Sequence, residues 1–116
     1  MANQTQATLR DVPPLTVIDL AGEVTTFAED AVNRAYKQAS ERGARHILLN
    51  FKDVDYINSA GISVIIGLLT EARKTEQVLM ITGLNAHYTK IFQMMGLAQY
   101  APLYETEEAA LQGVNA

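Results

Sequence analysis

Short apolar runs that alternate with stretches of helical spacing constrain this chain more than any other feature. "LTVIDLAGEV" (15–24), "HILLNF" (46–51) and "QVLMITG" (77–83) are rich in apolar and β-branched residues. Each is short enough to read as a strand, the first ending near Gly22. Between and after them the apolar period changes to that of a helix. In "TTFAEDAVNRAYKQASERG" (25–43), Phe27, Ala31, Ala35 and Ala39 recur every fourth residue, with Val32 and Tyr36 beside them. Thr25 or Thr26 caps that helix and Gly43 follows its end. From Ala60, the residues Ile62, Ile65, Leu69 and Ala72 form a second stripe, flanked by Val64 and Leu68. "NAHYTKIFQMMG" (85–96) places His87, Ile91, Met94 and Met95 on one side of a third helix. "ETEEAALQGV" (105–114) reads as a fourth, after a short edge strand within 97–104.

Ahead of these, Ala7 to Val12 reads as an edge strand. Pro13-Pro14 cannot donate ladder hydrogen bonds and marks a turn that returns the chain antiparallel. Lys52 to Asn58 reads as a polar loop. The order predicts an α/β fold: a mixed, mostly parallel sheet of four to five strands packed with about four helices. At 116 residues, without repeat or linker, the chain reads as a single domain over 1–116, with 1–6 flexible.

Composition narrows the function classes. A net charge of −4 and the lack of any Lys/Arg cluster argue against nucleic acid. No run of apolar residues approaches a membrane span, and "MANQTQATLR" has no secretory pattern, so a cytoplasmic protein is expected. Cysteine is absent, which removes disulfides and thiol nucleophiles. No glycine-rich phosphate loop or GxSxG elbow occurs, and His46 and His87 have no acid or nucleophile in register. Asp53 and Asp55 read as solvated carboxylates rather than metal ligands, and Met80, Met94 and Met95 as core filler. The chain is not expected to be an enzyme or to hold a cofactor.

The polar pair in "YINSAGISVI" (56–65) is the candidate site. Asn58 or Ser59 caps the second helix, and the residue types alone do not choose between them. A helix start offers unpaired amides and a positive dipole end, where a phosphoryl group on Ser59 would be held. Gly61 permits close approach of another backbone. Ser63 lies one turn on, on the same helix face.

Three segments in order carry a family resemblance over about Thr8 to Leu111. "HILLNFKDVDYINSAGISVIIGLL" resembles the apolar strand, loop and Asp-Ser-Ser/Thr/Ala-Gly helix start of the STAS domain family, in its stand-alone anti-sigma-factor antagonists. "LAGEVTT" resembles the family's Gly-Glu-apolar-Asp turn, and "IFQMMGLAQYAPLYETEEAAL" its Gly-Leu and acidic final helix. The resemblance implies the STAS-type fold and a partner-switching role. In that family an anti-sigma factor that is also a serine kinase phosphorylates the first serine of the motif, the position of Ser59 here. The resemblance implies that the unphosphorylated form binds that kinase and frees a sigma factor, and that a phosphatase resets the switch. The partner-binding surface so implied comprises Gly22, Glu23, Thr25, Asn58, Ser59, Gly61, Ile62 and Ser63.

Two departures stand out. Asn58 replaces the motif's aspartate and Thr25 the aspartate of the Gly-Glu turn, so the site is less acidic than the family pattern. A phosphoserine there meets less like-charge repulsion, and a kinase that reads those acids loses them. Ser63 stands where the family often has a small glycine. The alternative function is a STAS scaffold subunit of a larger signalling or transport assembly, in which Ser59 is only a cap.

Overall fold

The computed structural model describes residues 5–115. Strands β1 (Gln6–Val12), β2 (Leu15–Val24), β3 (His46–Ile57), β4 (Val78–Thr82) and β5 (Leu103–Tyr104) form one sheet in the order 1-2-3-4-5. β1 runs antiparallel to β2 through the turn at Pro13-Pro14, and the remaining pairs are parallel. The helices are α1 (Glu29–Glu41), α2 (Ser59–Lys74), α3 (Ala86–Met94) and α4 (Glu107–Asn115). This is the predicted mixed, mostly parallel architecture. Of the start expected to be flexible, residues 1–4 lie outside the described residues. Gln6 already pairs with Ala21, and the Thr5 hydroxyl donates to the Glu23 carbonyl.

Alternation along each strand sorts the core into two layers. Ile18 and Leu20 of β2, Ile47, Leu49 and Phe51 of β3, and Leu79 and Ile81 of β4 face one side with buried residues of α1, α2 and α3. Leu15, Val17, Leu48 and Met80 face the other, where Ala110 of α4 covers them. The pattern explains why the apolar runs lack a clean polar alternation: central strands with helices on both faces have no wet side.

Four expectations change on folding. First, β3 continues to Ile57, where a loop from Lys52 was expected. Its far half pairs with β2, with Asp53↔Ala21 and Ile57↔Val24, across two register shifts that the sequence does not signal. Second, β2 runs to Val24, past Gly22.

Third, Phe27 is 86% exposed, although helical spacing placed it on the buried stripe. Residues Thr26–Ala28 form a 3-10 turn and the α-helix begins only at Glu29. Three residues per turn rather than 3.6 puts Phe27 out of phase with Val32, Ala35, Tyr36 and Ala39, which are buried. Fourth, α3 buries Phe92 and packs Tyr88 and Ile91 on the core, while His87, Met94 and Met95 are exposed. Two stripes fit the spacing, and the aromatic one prevails. The Phe92 ring meets Phe51 edge-on at 6.1 Å, a preferred aromatic geometry. Met80 alone of the three methionines expected in the core is buried.

Candidate functional site at the start of the second helix

The ends of β2 and β3 lie side by side and launch the turn before α1 and the helix α2. Gly22 (φ +89°) pairs with Val54 and Glu23 with Tyr56. The Asn58 amide then donates to the Val24 carbonyl at 3.3 Å. α2 starts so close to β2 that a Cβ on Gly61 would sit 1.9 Å from the Val24 oxygen. Glycine is therefore demanded here by the chain's own packing. The expectation that Gly61 meets a partner is corrected on this point: the residue is buried under Val24 and offers almost no surface.

Asn58 is the cap of α2. Its Oδ1 accepts from the Gly61 amide at 2.8 Å, in extended backbone geometry. A cap of this kind contributes about 1 kcal/mol. Ser59 is therefore the first helical residue and not the cap. It is exposed, and its hydroxyl has no hydrogen-bond partner among the described residues. Its carbonyl accepts from the Ser63 hydroxyl at 3.2 Å, an ordinary back-bond of serine in a helix. The first amides of any helix lack intrahelical partners. Asn58 satisfies that of Gly61 and leaves those of Ser59 and Ala60 open at the end where the helix dipole is positive.

Thr25 does a similar task on the neighbouring turn. Its Oγ1 accepts from the Phe27 amide at 3.3 Å and holds the 3-10 turn Thr26–Ala28, which packs against α2. Both positions that depart from the acidic family pattern thus keep a capping oxygen and lose only its charge. The ion pairs Arg10–Asp19, Arg10–Glu107 and Arg42–Asp11 lie elsewhere. The two capping side chains carry no charge, and Glu23 is the carboxylate of the predicted surface.

Of the predicted surface, Ser59 and Ser63 are exposed; Gly22, Glu23, Thr25, Asn58 and Ile62 are partly exposed; Gly61 is buried. Ile62 packs partly on the core and shows the rest of its side chain. Sequence reasoning missed Tyr88, whose hydroxyl accepts from the Ile57 amide at 3.0 Å and braces the residue before the cap. Only the fold brings these two, 31 residues apart, together. Among the described residues no helix is long and apolar enough to cross a membrane, and no group of three or more potential metal ligands occurs.

Comparison with known proteins agrees with the fold. The STAS domain profile matches residues 6–110. The anti-sigma F factor antagonist of Paenibacillus polymyxa is 26% identical over 96 residues, covering 82% of each chain. The crystal structure of an anti-sigma factor antagonist from Mycobacterium paratuberculosis superposes with a TM-score of 0.81 at 16% identity, covering 97% of this chain and 96% of that one. The Bacillus cell fate determinant SpoIIAA in its phosphorylated form gives a TM-score of 0.71 at 25% identity, over 93% and 98% of the two chains. With a family profile spanning nearly every described residue and the fold to match, the chain belongs to the STAS domain family.

Proposed function

We propose that this protein is an anti-sigma factor antagonist whose binding to an anti-sigma factor with serine kinase activity is switched by phosphorylation of Ser59. The observation that carries the reading is the exposed Ser59 hydroxyl at a helix start, freed from capping by Asn58. The names of its relatives and the phosphorylated SpoIIAA structure support it. The kinase transfers the γ-phosphoryl group of ATP to Ser59 Oγ, the hydroxyl loses its proton, and ADP departs. The chain acts as ligand and substrate, not as catalyst, in the cytoplasm, and a phosphatase restores it.

The physical basis is a change of charge with little change of fold. Phosphorylation adds about −1.5 to −2 charges at neutral pH. The open amides of the first turn hold such an anion. The same charge, pressed against a partner surface that covers the apolar part of Ile62, is costly to desolvate, and the complex separates.

Incubation with the purified anti-sigma factor and ATP, followed by intact mass and site mapping, tests the reading. One phosphate on Ser59 is expected. Ser59→Ala should bind constitutively and Ser59→Asp weakly. Because Asn58 is the cap, Ser59→Ala should change stability by no more than about 0.5 kcal/mol. Binding by both variants equal to wild type, with no phosphate gained, would remove Ser59 as the switch. The same result with a stable homo-oligomer by mass would favour the scaffold reading.

A further inference from the structure

Phe27 is the most exposed large apolar side chain among the described residues, at 86%, and no contact with the core explains its identity. A single exposed apolar residue means little by itself. Phe27 differs in how it is held. Thr25 caps its amide, Ala28 beside it is fully buried, and the turn they form packs against α2. The backbone on both sides of the ring is therefore pinned, and the ring is presented outward on a fixed base. Rigid aromatics of this kind dominate binding energy at protein interfaces, because little entropy is lost when they enter a pocket.

Position supplies the occupant. A specific interface covers about 800 Å² of each partner, a disc about 16 Å in radius. Val24 touches the first turn of α2 at Gly61, and Phe27 follows three residues later, at most about 11 Å along the chain. The turn therefore lies within reach of an interface centred on Ser59. Resting on the function proposed above, we infer that Phe27 is the aromatic anchor of the anti-sigma factor complex, its ring filling an apolar pocket of the partner beside the one that receives Ser59. Binding energy is then divided between two neighbouring points: Phe27 supplies affinity, and Ser59 supplies the charge that cancels it.

The test titrates wild type, Phe27→Ala, Phe27→Leu and Tyr100→Ala with the purified anti-sigma factor, and follows phosphate transfer to Ser59. Tyr100 is the control, an aromatic ring half exposed beside Arg73 near the far end of α2. Phe27→Ala should weaken binding about thirtyfold and raise KM without lowering kcat, as expected for a hot-spot residue. Phe27→Leu should recover part of the loss, and Tyr100→Ala should match wild type. Unfolding midpoints should stay unchanged, because the ring is outside the core. A Phe27→Ala protein within twofold of wild type in both Kd and KM overturns the anchor while leaving the switch intact. Equal weakening by Tyr100→Ala overturns it as well. Wild type that neither binds nor gains phosphate on Ser59 removes the proposed function, and the anchor with it.

Discussion

The start of α2 and the cluster around Arg10 are both polar surfaces, yet they are built in opposite ways. At α2 the capping oxygens of Asn58 and Thr25 are neutral, and Gly61 packs backbone on backbone against Val24. At Arg10 the guanidinium grips Asp19 with two bonds, at 2.8 and 3.0 Å, and reaches Glu107 in the first turn of α4. Asn50 completes that cluster by donating to Asp19 at 2.8 Å. One region relies on close packing and neutral caps. The other relies on charge and ties α4 to three strands. The difference teaches that the fold fixes a surface by backbone packing in one place and by ion pairing in another. On the function proposed above, a phosphoryl group on Ser59 would meet two capping oxygens that carry no charge of their own.

The contrast can be broken most severely at Gly61. Gly61→Ala forces a carbon into the Val24 carbonyl, so α2 must move or the chain must unfold. A loss of about 3 kcal/mol or more is expected in urea denaturation, at the upper end of overpacking costs. A loss below 0.5 kcal/mol would show that the two backbones separate easily and that packing does not set the site.

Asn58 gives the middle effect. Asn58→Ala should cost about 1 kcal/mol through the lost cap. Asn58→Asp should keep the cap and gain a few tenths from the helix dipole, a gain that salt removes. Equal losses in both variants would mean that the side-chain oxygen is not capping.

Arg10 gives the smallest effect. The pair is partly exposed, with side-chain exposures of 42% and 31%, so Arg10→Gln should cost about 0.5 kcal/mol at low salt and less at high salt. The hydrogen bonds from Arg10 hold the Asp19 carboxyl below its usual range. A carboxylate with a lowered folded pKa stabilises the fold above its unfolded value of about 4. That contribution is lost as pH falls through the lowered value. Wild type and Arg10→Gln should therefore differ at neutral pH and converge in acid. A gap that persists below the titration of Asp19 would place the interaction elsewhere.

Much of this was legible before folding, for reasons that differ by residue. The β2, β3 and β4 runs announced themselves because strands buried on both faces must be apolar throughout. Asp19 interrupted the first of them, and the structure shows why: it faces the α4 side and is paired with Arg10 there. The Asn58-Ser59 junction was visible as a polar pair before a helical stripe. Which of the two caps was not, since both carry a suitable oxygen and the choice depends on where the helix begins. The outward turn of Phe27, the packing of Tyr88 on the core and the burial of Phe92 were likewise hidden.

Residue order alone determined the alternation of strands and helices, the proline turn and the place of the serine at a helix start. These follow from local periodicity and backbone chemistry, which act over a few residues. Tertiary structure decided that Gly61 serves β2, that Tyr88 braces Ile57 and that the ring of Phe27 faces solvent. Each of those depends on which distant segment arrives at van der Waals range, and no local pattern encodes that arrival.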